Sequence, residues 1–336
     1  VKPHEVKVNK SIYEFVDKAV IKVPITARIT RAGRVITESA DTAKKFDEGD
    51  KVIIKLGYNS QLQTEFEGFI SRINFTSPLE IECEGYSYQL RNMTYTKTFV
   101  HAQLLDILKY LVASTDIALD EKNIPSLIIE KLLLQGHNGC EALDEIKKIT
   151  HGTIRAFFRG NMLFMGLVLT DQLSRTTVKP DAIYRLGWNV VKDDNLKLRQ
   201  AKNQDVTVKF LGIHKSGDVQ QAEESTDVLF LPGKSKKVKT TGTAGDEGET
   251  KIVKTRSVID KDSLNKLAKE LHTSLSYTGY EGKITAFLQP FCRPAQRVEI
   301  RDTKYPERNG VYLVESTEVS YGTNGARRVI GIGIKL

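Results

Sequence analysis

A chain of 336 residues, 40% hydrophobic and 27% charged, has the composition of a soluble globular protein with two or three domains of about 100–200 residues each. No apolar run approaches the ~20 residues of a membrane-spanning helix. The three cysteines, Cys83, Cys140 and Cys292, lie far apart with no CxxC pair, which argues against a disulfide scaffold or zinc site and suits packed positions in a reducing compartment. The net charge of +8 is uneven: basic against acidic residues number 14 to 13 over 1–96, 10 to 10 over 97–183 and 26 to 19 over 184–336. That excess can steer an acidic partner but is too diluted by carboxylates to specify nucleic acid.

The opening residues Val1-Lys2-Pro3-His4-Glu5 carry no apolar core of the signal-peptide kind. With Val1 in place of Met, a few residues are expected to precede them. Strands are predicted at 20–29, at Lys51–Leu56 after the Gly49-Asp50 turn, and over Phe66–Phe75. Leu79-Glu80-Ile81-Glu82-Cys83-Glu84 alternates strictly, with three glutamates expected outward. Short strands separated by turns predict a barrel or sandwich.

The pattern changes near Tyr95. Leu104, Leu105, Leu108, Leu111 and Val112 recur at helical spacing, predicting a helix over 99–114. A second helix is expected over Ala142–Thr150, stopped by Gly152. Two apolar runs around Gly160-Asn161 read as a β-hairpin. Strands resume at Asn189–Val191 and Gln204–Ile213. The polar stretch 215–250, with Lys234–Lys239 and Ala244–Glu249, is expected to be an exposed excursion. A helix near 262–275, capped by Asp260 or Asp262, presents Leu264, Leu267, Ala268, Leu271 and Leu275. Strands are then expected at 281–288, 297–301, 310–320 and 326–334. One pattern occurs twice: a strand, a polar loop, a glycine-led strand and a further strand, from Val52 and Gly68 in the first part and from Val298 and Gly310 in the last.

Chemical motifs are sparse. Glu80, Glu82 and Glu84 share one strand face, but no His, Asp or Asn joins them, so a solvated face outweighs a cation site. His4, His101, His137, His151, His214 and His272 form no HxH or HExxH pair. His137 and Cys140 are the only candidates for a Cys–His nucleophile, which would need spatial adjacency and a third, orienting group, such as a carboxylate from the last domain. There is no phosphate loop and no GxSxG elbow. Gly331-Ile332-Gly333 lacks a third glycine and a following helix, unlike a dinucleotide site. Lys234–Lys239 has no interleaved aromatics for stacking on bases. Trp188 is expected in a core or interface. No catalytic, cofactor-binding or metal-binding residue is assigned.

Three stretches carry a family resemblance. Gly49-Asp50-Lys51-Val52 through Phe66-Glu67-Gly68-Phe69-Ile70 to Ile81-Glu82-Cys83-Glu84-Gly85-Tyr86 resembles the opening barrel of phage tail baseplate hubs. Leu104-Leu105-Asp106-Ile107-Leu108-Lys109-Tyr110-Leu111 is similar to the helix that begins their inserted domain. Tyr277–Gly282, Arg297–Asp302, Gly310–Val314 and Arg327–Ile332 resemble the closing barrel. The family comprises T4-like and Mu-like hubs, the late control gene D proteins and the N-terminal part of VgrG spikes. The resemblance implies a β-rich α+β fold: two antiparallel tail-tube-like β-barrels, within 1–96 and 184–336, flanking a small α+β domain at 97–183. It also implies a non-enzymatic homotrimer whose six barrels adapt a sixfold tail tube to a threefold spike. The implied partners are the spike, the tail tube and other baseplate proteins, with DNA passing through the channel without specific binding and no membrane insertion. The location would be the virion baseplate, after synthesis in the bacterial cytoplasm. No lysozyme segment or needle repeat is recognisable in the chain. Rival functions are a nucleic-acid-binding barrel, which needs basic and aromatic residues converging on one face, and a peptidoglycan hydrolase, which needs a cleft holding paired carboxylates or a Cys–His pair.

Overall fold

The computed structural model describes residues 3–31, 34–174, 179–199, 206–212, 249–255, 261–275, 277 and 279–336. The first stretch forms β1 (Glu5–Ser11), β2 (Lys18–Val23), β3 (Thr26–Arg31), β4 (Arg34–Asp41), β5 (Lys51–Tyr58), β6 (Gln61–Asn74) and β7 (Leu79–Glu84). The strand expected at 20–29 is two strands, interrupted at Pro24, which has no N–H to give a ladder. β5 and β6 are joined by Asn59 and Ser60, both at positive φ (50° and 65°), a turn whose twist matches that of the flanking strands.

The middle stretch holds α1 (Ser87–Arg91), β8 (Thr94–Gln103), α2 (Leu104–Val112), β9 (Ala118–Leu119), β10 (Ile128–Asn138), α3 (Gly139–Ile149), β11 (Arg155–Arg159), β12 (Met162–Gly166) and α4 (Val168–Ser174). The helix expected over 99–114 starts only at Leu104. Residues 99–103 instead continue β8, because a long antiparallel partner, β10, supplies the ladder. Leu104, Ile107, Leu108 and Leu111 do form the buried stripe of α2. α3 opens on a capping box: Asn138 Oδ1 accepts from Glu141 N (2.9 Å), and Glu141 Oε2 accepts from Asn138 N (2.8 Å). It ends at Ile149, after which His151 at φ +51° turns the chain back so that the Gly152 N–H reaches the Lys147 carbonyl at 2.7 Å. The expected hairpin around Gly160 is β11–β12.

The last stretch holds β13 (Ala182–Arg185), β14 (Val190–Arg199), β15 (Val206–Gly212), β16 (Glu249–Thr255), α5 (Lys261–Leu275), β17 (Gly279–Ala286), β18 (Arg297–Arg301), β19 (Gly310–Gly322) and β20 (Gly325–Lys335). β15 and β16 pair in parallel. Most of the 215–250 excursion, Lys234–Lys239 included, and Asp260 lie outside the described residues.

Among the described residues, eleven strands form one curled sheet. Its main path runs β14-β17-β20-β19-β1-β2-β7-β6-β5, with β18 added to β19 and β13 to β18. All of its pairings are antiparallel except β13–β18. The fold is therefore β-rich α+β. Each half of the sheet wraps its own core: Ile54, Phe66, Ile70, Leu79 and Ile81 in the first, and Tyr184, Ile284, Val298, Tyr312 and Ile330 in the second. A third core lies under α1, α2, α3, β8 and β10, and α5 joins it through Leu264, Leu267 and Ala268. α5 thus packs on the middle segment although in sequence it lies among the second-half strands, between β16 and β17. Glu270 of α5 fixes this docking by accepting from Leu169 N, Thr170 N and Thr170 Oγ1 at 2.7–2.8 Å.

Candidate functional site: the joint between sheet halves and the free strand edges

The two halves have one topology. In the first, β1 pairs β2, β2 pairs β7, β7 pairs β6 and β6 pairs β5. In the second, β14 pairs β17, β17 pairs β20, β20 pairs β19 and β19 pairs β18. In both halves the strands, numbered along the chain, lie in the order first, second, fifth, fourth, third; every one of these pairings is antiparallel, and the last three strands of each set are those of the repeated sequence pattern. The insertions differ: β3 and β4 follow the second strand of the first half, whereas β15, β16 and α5 follow the first strand of the second.

The halves meet where β1, the first strand of one, pairs the far end of β19, the long strand of the other. Val6 faces Tyr321, Val8 faces Val319 and Ser11 faces Ser316. Val6, Val8, Val319, Leu288 and Ala326 then merge into a single core cluster across the joint. The β5–β6 hairpin also reaches over it: Tyr58 Oη donates to the Ala326 carbonyl at 3.1 Å and accepts from Leu288 N at 3.4 Å.

A buried ion pair closes the same joint. Arg328 of β20 and Glu65 of β6 make a two-pronged contact, Nη2–Oε1 at 2.6 Å and Nη1–Oε2 at 3.2 Å, and their side chains are 1% and 4% exposed. Arg328 also donates to the carbonyls of Cys292 (2.7 Å) and Leu288 (3.4 Å) and sits over the Phe291 ring. Burial pushes the Glu65 carboxyl above its usual range, against the pull of the guanidinium. Sequence reading missed both residues. The available signal was Arg328 itself, a charge at an inward position between Ala326 and Ile330 of an alternating strand.

The residues singled out in the sequence fall in separate places. Glu80 and Glu82 lie on the partly exposed face, where Asn74 Nδ2 donates to Glu82 at 2.6 Å and Lys22 lies 3.8 Å from Glu80. Glu84, expected outward with them, is buried. It accepts from Ser87 Oγ at 2.7 Å and is forked by Arg91, because the turn into α1 brings both partners over the end of β7. His137 Nδ1 accepts from Gln135 N, whereas Cys140 Sγ is directed at the Ser87 carbonyl, 3.4 Å away. Burial pushes the Cys140 thiol up to about 12, opposite to the shift of a reactive thiolate. All three cysteines are buried. Among the described residues no three of His, Cys, Asp and Glu converge as metal ligands, and no helix is long and apolar enough to cross a membrane. Trp188, expected in a core or interface, is 77% exposed in the single chain, in the turn before β14.

No family model and no curated sequence matches the chain; solved structures do. The 43 kDa tail protein of prophage MuSo2 from Shewanella oneidensis superposes with a TM-score of 0.59 at 12% identity, over 99% of this chain and 94% of that one. A tail protein from Neisseria meningitidis gives 0.61 at 13%, over 98% and 91%. The E. coli c3393 protein, a type VI secretion component with structural similarity to T4 tail proteins, gives 0.53 at 8%, over 100% and 74%. The chain has the fold of these prophage and bacterial tail proteins and of this type VI secretion component.

Proposed function

We propose that this chain is a structural hub subunit of a phage or prophage tail baseplate, or of a related contractile injection system. Three copies form a ring that adapts a sixfold tail tube to a threefold spike. The duplicated strand topology supports this most directly, because three chains with two like halves present six like units around an axis. Coverage of whole tail proteins by the solved-structure matches supports it too. In this reading residues 1–96 and 184–336 are the two barrel units and 97–183 the inserted domain. The partners are the spike, the tube and neighbouring baseplate proteins, the channel passes DNA without sequence-specific contacts, the site of action is the virion and no catalysis is involved.

The deciding experiment is the mass of the purified particle in solution together with a low-resolution image. A hollow threefold ring is expected. A particle with no threefold assembly, or a chain that cleaves peptidoglycan and loses that activity on substitution of His137 or Cys140, would overturn the proposal.

A further inference from the structure

Within one chain the first strand of the first half, β1, has two neighbours: β2 of its own half and the far end of β19 from the other half. Its counterpart in the second half, β14, has one, β17; its other edge ends the sheet path among the described residues. The long strands show the complementary difference. β19 is paired by β18 near its start and by β1 beyond. β6 is paired by β5 over Gln61–Phe69, and Ile70 exchanges hydrogen bonds with Gly49 and Asp50. On that side no strand pairs β6 beyond Ile70 among the described residues. Among the described residues the chain therefore carries one completed joint and both halves of a second one left open.

Side chains mark the open joint. Lys51, the first residue of β5, lies opposite Phe69, and Arg297, the first residue of β18, lies opposite Leu313. Counted onward from those pairs, Phe75 occupies the place of Val319. Val319 is 1% exposed, whereas Phe75 is 81% exposed, although it continues the inward parity of Ile73. Ile25 beside it is exposed too, as are Val191 and Leu198 along β14. Tyr58, in the β5–β6 turn, crosses the completed joint. Tyr305 stands in the corresponding β18–β19 connection and is exposed. Unpaired strand edges with apolar flanks are templates for another chain, and head-to-tail joints give a ring where the rotation between copies closes.

We infer that the outer edge of β14 pairs with the 72–77 segment of a second copy of this chain, repeating between chains the β1–β19 joint seen within one. Phe75 is buried there as Val319 is in the completed joint. The inference rests on the ring reading and adds which edges meet. It implies two unlike surfaces, so that blocking either one stops assembly and two differently blocked chains still fit each other once.

The test uses the full chain, with Phe75→Asp blocking one surface and Val191→Lys with Leu198→Lys blocking the other. All three positions are exposed in the single chain, so each variant is expected to melt as an isolated wild-type subunit does. Analytical ultracentrifugation should show the wild-type trimer, each variant alone as a monomer, and a 1:1 mixture of the two as a dimer with no trimer. Hydrogen exchange on the wild-type ring needs no variant, and amides of 190–199 and 72–77 should be protected relative to the monomer. If the wild type is a ring and both variants remain rings, or these amides exchange freely in it, the joint is wrong and the ring reading stands. If the wild type is monomeric at every accessible concentration, both fall.

Discussion

Removing one partner of the Glu65–Arg328 pair tests whether the two sheet halves are locked from inside. Both side chains are almost completely buried, so Arg328→Met leaves the Glu65 carboxylate without its counter-charge and the Cys292 and Leu288 carbonyls without a donor. Breaking a buried pair costs about 3–5 kcal/mol, of which about 1–3 kcal/mol is the desolvation of each abandoned polar group. Glu65→Leu alone should cost a similar amount, because it strands the guanidinium. The double variant removes both charges and should recover at least half of the summed loss. Urea unfolding of the four proteins, read as a double-mutant cycle, measures this. A coupling below about 1 kcal/mol, the range of exposed pairs, would show that the pair does not hold the joint. Because Glu65 belongs to β6 and Arg328 to β20, the cycle also reports on the joint directly, which a pair within one half would not do.

Two further outcomes follow from buried carboxylates. Asp17 is buried 3.5 Å from Lys10, and burial, opposed by Lys10, pushes its carboxyl up to about 6. A folded-state value above the unfolded one, about 3.9, means the native chain holds the proton more tightly. That stabilisation is complete below about pH 4, is lost as pH rises through about 6, and amounts to roughly 3 kcal/mol at most at about 1.4 kcal/mol per unit. Asp17→Asn should flatten the stability profile over that window, measured by denaturant unfolding at successive pH values; an unchanged slope refutes the assignment. Glu270→Ala should free three donors on α4, destabilise by at least about 3 kcal/mol at about 1–3 kcal/mol per abandoned group, and raise exchange of the Leu169 and Thr170 amides, whereas a uniform change across the chain would argue against a local tether.

Local elements were legible wherever one period governed a segment. Leu79, Ile81 and Cys83 announce a strand with one buried face, and Leu104, Leu108 and Leu111 a helical stripe. The twofold pattern led by Gly68 and Gly310 was visible as well, because hairpins are sequence-local and their loops carry turn residues. Periodicity reports which face is buried and says little about which element buries it. Residues 99–103 could serve as helix or strand, and β10, some thirty residues later, decided for strand. Glu84 alternates with Glu80 and Glu82, yet it turns inward because Ser87 and Arg91 come back to meet it. The apolar face of α5 was evident, but its docking on the middle core was not. The joint itself joins Val8 to Val319 and Glu65 to Arg328 across most of the chain. A contact at that separation leaves no periodic trace, since its free energy depends on the whole sheet having curled to bring the two positions together. The sequence determined the strands governed by one clear period and their repeated pattern, and the tertiary structure alone decided which edges are closed within the chain and which, among the described residues, are left open.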